Sequence, residues 1–279
     1  MEGCHPQVEP KHVVASDPWV RYIMAESEKF SVHIPTFLQQ NAGDPAVKVN
    51  GLPPSRASLI HPLLQNFNPK LKQYLLPRVV VQHLMEAESA ETLDIRVASS
   101  GALEENFVFL KNDNIYEHKR VHFHFTTYDV RRGTDIVNPG TSRCNVMFLA
   151  DDAMSPSCPH RFLYARVLGI YHANVIYTGP VARDHEPRRI DFLWVRWFEV
   201  VDPLSSGWSS SRLDLVHFPP MHKSSSFDFV DPRKVLRGCH IIPAFAKGRR
   251  QANDGAGISR RAKDGEDYHF YYVSQCVQA

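Results

Sequence analysis

Two histidines at alternate positions of one short run form the most metal-like pair in this chain. His122 and His124 stand in the segment 120–130, RVHFHFTTYDV, in which apolar and polar residues alternate. Residues two apart on a strand project to the same face, so two imidazoles placed there could share a metal ion. Further ligands near enough to consider are Asp129, Cys158, His160, Cys239 and His240. None of them stands at a spacing with a known coordination geometry, and a polar strand face with hydrogen-bonded histidines is the alternative interpretation.

A second chemical feature is a local excess of positive charge. The segment from Arg233 to Lys263 contains nine Lys or Arg residues and one acidic residue, Asp254. Basic residues interleaved with aromatic ones are typical of phosphate-backbone binding, and Phe245, Tyr268 and Phe270 flank this segment. A solvated basic loop is the alternative. The side chains predicted to bind a nucleic acid or another partner are Arg233, Lys234, Arg237, Lys247, Arg249, Arg250, Arg260 and Arg261.

The segment 162–201 predicts a long β-hairpin. It consists of two aromatic and β-branched runs joined by a polar connection with Gly179 and Pro187, as expected for paired strands. Its second run places Phe192, Trp194 and Arg196 on one face and Leu193, Val195 and Trp197 on the other. We expect the second set to form a core with Val121, Phe123 and Phe125. The side chains then left for a partner are Arg188, Arg189, Trp194 and Arg196, although Trp194 and Arg196 could also pack within the domain.

Motifs of catalysis are weak elsewhere in the chain. No GxSxG elbow, cysteine-nucleophile signature or phosphate-binding glycine loop is present, so we predict no catalytic residue and no cofactor. Asp231 directly precedes Pro232, and Asp151 and Asp152 stand shortly before Pro156. These carboxylates are either loop charges or ligands of a divalent cation. A metal-dependent hydrolase or nuclease that uses His122, His124 and Asp129 is the enzymatic alternative to a binding module.

Composition limits the class of protein. With 279 residues, 43% hydrophobic and 11% aromatic, the chain can form one large or two ordinary domains. A net charge of +2 excludes a general polycation, so any basic surface must be local. Five cysteines without paired spacing favour a reducing compartment inside the cell, and the lack of an apolar run near 18 residues predicts no membrane contact.

Helical signals are confined to the first third of the chain. Residues 1–16 show no periodicity and are predicted to be a loose tail. A helix is predicted from Asp17, with Pro18 in its first turn, to a point before Pro35. From Leu63 to Leu84 the apolar spacing is helical but Pro69 and Pro77 interrupt it, which predicts two short helices. Residues 17–88 are therefore predicted to be a helical N-terminal segment.

From residue 89 the pattern is that of strands. Short β-like runs are separated by polar loops, among them the serine-rich loop around Trp208. Because no helices alternate with these runs, an antiparallel arrangement is favoured over a parallel sheet. The predicted fold class is α+β, mainly β, with an antiparallel barrel-like domain over residues 89–279.

Several segments from about Asn66 onward resemble one family. They are FNPKLKQYLLPRVVVQ (67–82), FTTYDVRRGTDIVNP (125–139), YARVLGIYHANV (164–175), DFLWVRWF (191–198), FVDPRKVLRGCHIIPAFAKGR (229–249) and YHFYYV (268–273). They are similar to the β-rich region that accompanies CACTA-like, Plavaka-type transposase proteins of fungi. In layout they are also similar to the bromo-adjacent homology (BAH) domain of chromatin proteins.

The resemblance implies a transposon-derived protein in the nucleus, with the cytoplasm as the alternative. The partners it implies are DNA, chromatin or a transposase. A second binding hypothesis is a protein partner, such as a histone tail or the transposase, with Trp194 or Trp208 as the anchor. No acidic triad of a transposase can be carried over to this sequence, so the resemblance predicts a non-catalytic module or a decayed copy without activity.

Overall fold

The structure is a computed structural model that describes a large part of the chain. The described residues are 21–24, 29–41, 44, 47, 67–85, 105–126, 131–150, 160–180, 182–201, 213–221, 223, 225–250, 262 and 264–274. Within them the protein is mainly β, which confirms the predicted fold class, with antiparallel pairing throughout.

The two helices of the described part are α1 (Ile34–Gln40) and α2 (Phe67–Met85). Its strands are β1 (Tyr22–Ile23), β2 (Lys29–His33), β3 (Val108–His118), β4 (Val121–Thr126), β5 (Arg132–Val137), β6 (Asn145–Leu149), β7 (Phe162–Tyr177), β8 (Arg188–Trp197), β9 (Glu199–Val200), β10 (Asp214–His217), β11 (Phe227–Val230), β12 (Val235–Gly238), β13 (His240–Pro243) and β14 (Tyr271–Ser274).

The hairpin of β7 and β8 is the centre of the largest sheet, as the sequence predicted. The pairing runs antiparallel from Ala165 opposite Trp197 to Val175 opposite Arg188. The sheet continues in the order β11, β8, β7, β3, β2, and β6 pairs with both β7 and β12. A bulge lies near Gly169, where the ring of Tyr171 occupies the space that a Cβ atom would need.

One face of the hairpin is covered by α2. Phe67 meets Trp194 edge to face at 5.2 Å between ring centroids, and Tyr74 lies 6.0 Å from Phe192. Aromatic side chains bury large apolar areas, and such tilted or perpendicular pairs add to that stabilisation. The helix is therefore held to the sheet by rings that alternate along β8.

The opposite face is covered by a smaller sheet of order β1, β4, β5. Leu193 and Val195 pack in one apolar cluster with Val121 and Phe123, as predicted. Trp197 is half-buried against the same cluster. Phe125 is not part of it, because its ring lies under the guanidinium of Arg237 at 3.6 Å.

A third sheet, of order β13, β14, β10, β9, holds the C-terminal strands. It is tied to β7 by a buried carboxylate, Asp214, which accepts the hydroxyl of Tyr164 at 2.7 Å and lies 3.1 Å from Nε2 of His160. Burial lowers the pKa of His160, but its bonds to Asp214 and to the carbonyl of Phe162 outweigh that effect and raise it.

The prediction of a helix from residue 17 is wrong at the described positions. Residues 22–23 and 29–33 form strands, with Lys29 to His33 paired to β3, and a helix begins only at Ile34, with Pro35 in its first turn. Ladder hydrogen bonds to an existing sheet override a helical spacing of apolar residues when the partner strand comes from a distant segment.

The predicted break at Pro77 is also wrong, because α2 continues through it. Pro77 itself is exposed, while Leu75 and Val79 on either side are fully buried. The lost hydrogen bond and ring clash cost about 3 kcal/mol. A continuous buried stripe on both sides of the proline offsets that cost, because the apolar surface that it removes from water requires one unbroken helix.

The described strands form open sheets and no closed barrel, so the barrel-like shape is not found in this part of the chain. Apolar clusters on both faces of the hairpin explain the layered arrangement. The division at residue 88/89 stays a prediction. Residues of α2 and of the hairpin share one apolar cluster, so these two parts of the chain are packed together.

Two valines of α2 provide a matched test of this packing. Val79 is fully buried and Val81 is 45% exposed. We expect Val79→Ala to lower the free energy of unfolding by about 2 kcal/mol, through lost contacts and the cavity left behind. Val81→Ala should change it by less than about 0.5 kcal/mol. Urea unfolding of both variants checks this, and equal losses would contradict the packing of α2 on the hairpin.

A buried histidine pair lies between β3 and β7. Nε2 of His118 is 2.7 Å from Nδ1 of His172, whose ring stacks on Tyr116 with a centroid distance of 4.7 Å. Burial and the positive charge of Arg189 lower the pKa of His172 to about 4, and burial also lowers the pKa of His118. At neutral pH both rings are uncharged, and one donates a hydrogen bond to the other.

Acid should weaken the fold through this pair. The unfolded chain binds protons near the ordinary histidine pKa of about 6.5, whereas His172 resists protonation down to about 4. The stability that depends on the neutral pair is present above about pH 6.5 and is lost as the pH falls towards 4. We expect His172→Phe, which keeps a ring against Tyr116, to lose less stability between about pH 7 and pH 5. Urea unfolding at both pH values measures this, and the same pH dependence in both proteins would count against it.

Candidate nucleic-acid interface

Five side chains near the C-terminal end of the described chain form what we call the aromatic–basic surface. It is defined by Phe245, Lys247, Arg249, Tyr268 and Phe270. A short 3-10 turn, Phe245–Lys247, follows β13 and is held to the later segment by backbone bonds. Ala244 N–H donates to the carbonyl of Phe270 at 2.9 Å, and Arg249 pairs with Tyr268 in an isolated bridge. These bonds bring the two halves of the surface together.

Aromatic and cationic groups alternate on this surface. The Phe245 side chain is 68% exposed and meets the ring of Tyr268 edge to face at 5.3 Å. Above that ring lies the guanidinium of Arg249 at 5.2 Å, and its Nε donates to the phenol oxygen at 3.0 Å. Nζ of Lys247 lies 5.1 Å from the ring of Phe270. The exposed ring of Phe245 can stack on a flat group, and the cations beside the half-buried rings of Tyr268 and Phe270 can bind an anion at the same time.

Tyr268 stabilises the charged form of Arg249. The hydrogen bond to the phenol of Tyr268 raises the pKa of Arg249 above its usual value. Glu266, which is exposed, is the acidic residue whose charge also acts on it. Arg249 therefore keeps its positive charge at neutral pH.

Beneath the surface lies a buried ionic group centred on Asp267. Its carboxylate accepts from Arg166 at 2.8 Å, from Arg196 at 3.1 Å and from the hydroxyl of Tyr271 at 2.8 Å. Burial lowers the pKa of Arg166, but Asp267 more than restores it, so the net change is upward. The backbone carbonyl of Asp267 also accepts from Arg250 N–H at 2.9 Å. Asp267 thus fixes the residue next to Tyr268 to the core.

Trp194 and Arg196 are not available to a partner, which corrects the predicted site. Trp194 is 2% exposed, and Arg196 is fully buried. α2 covers the first, and the second reaches Asp267 and lies 4.0 Å from the ring of Phe218. The alternation along β8 was correct, but both faces of that strand are covered, so neither set of side chains remains at the surface.

Arg188 and Arg189 lie at the opposite end of the hairpin. From Arg189 to Arg196 the strand rises roughly 23 Å, at about 3.3 Å per residue. Arg188 pairs with Asp184 at 2.8 Å and Arg189 with Asp191 at 2.8 Å. The hydrogen bond from Arg188 lowers the pKa of Asp184 to about 2. Each of these two arginines is therefore paired with a nearby carboxylate, and both are separate from the aromatic–basic surface.

The remaining predicted cations are spread over the fold. Arg233 and Lys234 are exposed in the short turn Pro232–Lys234 between β11 and β12. Arg237 stacks on Phe125 and pairs with Asp135 at 3.2 Å. Of the basic segment, the structure brings Lys247, Arg249 and Arg250 together, while Arg260 and Arg261 lie outside the described residues.

In the part of the chain that the structure describes, no third ligand joins the candidate metal pair. His122 and His124 do share the outer face of β4, and Nδ1 of His124 lies 3.0 Å from the hydroxyl of Thr134. Within the described ranges, no group of three or more His, Cys, Asp or Glu side chains is placed to hold a metal ion. Asp129 and Cys158 fall outside those ranges.

Neither helix in the described part of the chain is long and apolar enough to cross a membrane.

Sequence reasoning missed the groups that support the surface from below. Arg166, Asp267 and Tyr271 come from distant parts of the chain, and no local pattern joins them. Gly248 was also missed. Its φ of +82° with a ψ of 166° is a conformation that only glycine adopts readily, and it turns the chain between Lys247 and Arg249. A glycine between two basic residues was the one available signal.

Gly248 offers a direct test of this geometry. A Cβ atom there would meet nothing closer than His269 at 3.9 Å, so the expected cost of Gly248→Ala is backbone strain of about 1–3 kcal/mol. The control is Gly238→Ala, where the added Cβ makes an ordinary contact of 3.4 Å with Asp135. Thermal unfolding and hydrogen exchange of residues 245–250 should show a loss for the first variant only. Equal effects in the two variants would argue against a strained turn at Gly248.

The chain was compared with protein-family models, curated proteins and solved structures, and none of them matches it.

Proposed function

We propose that this protein is a non-catalytic DNA-binding module that holds unpaired bases and phosphates on its aromatic–basic surface. The observation that carries the proposal is the exposed ring of Phe245, set edge to face on Tyr268 with Arg249 beside it. Proteins that bind single strands combine aromatic side chains, on which bases stack, with cations that contact the backbone.

Three physical points support this proposal. A 68% exposed phenylalanine leaves apolar area in contact with water, and stacking on a base would remove that area from water. The charges of Lys247 and Arg249 lie about 5 Å from the rings of Phe270 and Tyr268, so cations that can contact the backbone stand beside the rings on which bases can stack. The backbone bonds between residues 244–250 and 267–270 hold these groups in place before any ligand binds, which lowers the entropic cost of binding.

The burial of Trp194 counts against the protein partners expected from the sequence but not against DNA. Trp194 is buried, so it cannot anchor a histone tail or a transposase. Trp208, the other aromatic anchor considered for a protein partner, lies outside the described residues. DNA, with a nuclear location, is the partner that we retain, and the cytoplasm is the alternative location. A transposon origin agrees with this proposal but is not needed for it.

Binding to a labelled single-stranded oligonucleotide of about twelve nucleotides, measured by fluorescence anisotropy at several salt concentrations, tests the proposal. Removal of the stacking ring in Phe245→Ala should weaken binding by about 1–3 kcal/mol. Arg249→Ala should lower the slope of log K against log[salt] by about 0.7, the value for one phosphate contact on a single strand.

A matched control lies in β2, in a different sheet from β13 and β14. Phe30 is 51% exposed, and Nζ of Lys119 is 5.5 Å from its ring, so Phe30→Ala removes an equivalent exposed ring beside a cation. Arg132→Ala, on exposed β5, is the control for charge. If no binding occurs at low salt, or if Phe245→Ala and Phe30→Ala weaken it equally, the proposed function is wrong.

A further inference from the structure

A cleft of about 360 Å³ lies near the aromatic–basic surface. Residues of β5, β6, β7, β12, β13 and β14 line it, together with the loop that carries Ser142 and Arg143. The three sheets of the fold contribute to it, so most of its wall consists of strands. Binding sites built on strands hold their geometry better than sites on loops.

The walls of the cleft are partly apolar. Met147, Phe162 and Val273 line it, and they provide a sulfur atom, an aromatic ring and a branched side chain. A thioether and a phenyl ring make favourable contacts with the face or edge of a flat ring. A mixed cleft of this size is at the lower end of the range for small-molecule sites, and it is large enough for one nucleotide.

Two arginines line the cleft, Arg237 and Arg143, and they differ in whether a carboxylate already binds their charge. Arg237 is neutralised by Asp135 at 3.2 Å and lies on the ring of Phe125. The Arg143 side chain is exposed, and none of the described carboxylates forms an ion pair with it. Arg143 is therefore the cleft residue whose guanidinium can bind a phosphate. Ser142, the residue before it, adds a hydroxyl to the same part of the cleft.

A buried amide marks the inner part of the cleft. Asn145 is 7% exposed, and its side-chain carbonyl oxygen has no hydrogen-bond partner among the described residues. A buried acceptor without a partner costs about 1–3 kcal/mol. Every nucleobase carries N–H groups on its edge, and asparagine amides form hydrogen bonds with such edges. A base that entered the cleft would supply the missing donor.

The cleft and the aromatic–basic surface lie at the two ends of one strand pair. His240, opposite Ser274, is at the cleft, and Pro243, opposite Tyr271, adjoins the turn that carries Phe245. Three residue steps along a strand span roughly 10 Å. That length corresponds to about three steps of 3.4 Å along a stacked strand. One oligonucleotide can therefore reach both places.

We propose that the cleft binds one nucleotide of the strand held on the aromatic–basic surface, with its base against Met147 and Phe162 and its phosphate at Arg143. This inference rests on the proposed function for the source of the nucleotide. Asn145 contacts the base edge, and the positions of the N–H donors on that edge differ between the bases, so the cleft gives the protein a preference for one base. The aromatic–basic surface alone binds without regard to sequence, because every base has a face on which to stack.

The experiment compares the affinities of the full chain for oligomers of dT, dA and dC at fixed salt concentration. The native chain should bind one of them about fivefold more tightly, the effect expected from one recognised base. Ser142→Trp, which places a large side chain at the rim, and Arg143→Ala should reduce this preference to less than about twofold and leave the weakest oligomer bound as before. Arg132→Ala is the control for Arg143→Ala, since both arginines are exposed and only Arg143 lines the cleft. A preference that survives in both cleft variants overturns the proposal.

A second measurement separates this proposal from the proposed function. Saturation-transfer NMR with nucleoside monophosphates should show binding to the native chain and to Phe245→Ala, and its loss in Ser142→Trp. Mononucleotide binding without oligomer binding would support the cleft and refute the aromatic–basic surface. Oligomer binding without any base preference and without mononucleotide binding would refute the cleft and leave the proposed function standing.

Discussion

Much of the C-terminal part of this fold depends on one buried carboxylate. Two arginines of the central hairpin, Arg166 and Arg196, point into the protein, and the charge of a buried guanidinium is tolerated only beside an anion. Asp267 is that anion, although it lies 71 residues after Arg196. Loss of one partner of such a group leaves a buried charge without compensation, which is far more costly than loss of a surface ion pair. The requirement to pair these charges therefore fixes where the last segment of the chain lies.

This constraint also explains how a surface proposed to bind DNA can be ordered without secondary structure of its own. Residues 245–250 and 268–270 consist of one short turn, one bridge and irregular backbone. The hydrogen bond from Arg250 N–H to the carbonyl of Asp267 and the pairing of β13 with β14 hold these residues in position. Phe245 itself is exposed and meets the ring of Tyr268 edge to face. The same two strands lead from this surface to the cleft at Arg143 and Asn145, so both candidate sites share one rigid support.

Prediction from the sequence succeeded where a local pattern decides the structure and failed where distant contacts decide it. The hairpin, β4, β6 and the turn after Asp231 follow from alternation and from turn residues. The region before Pro35 has a helical spacing, but the available partner was the free edge of β3, which the sequence does not reveal. In the site, the aromatic and basic residues around 245–250 could be named in advance. The burial of Arg196 and Trp194 could not, because it depends on which elements cover β8.

The sequence by itself determined the class of the fold, the central hairpin and the chemical character of the candidate surface. Side-chain alternation and β propensity act over a few residues, and a local excess of charge needs no tertiary information. The tertiary structure alone decided which cations remain at the surface and which are neutralised. Arg188, Arg196 and Arg249 look alike in the sequence, yet the first pairs with Asp184, the second is buried on Asp267, and the third stays exposed beside Tyr268. The physical reason is that an arginine's role is set by the nearest carboxylate and by its burial, and both come from segments far away in the chain.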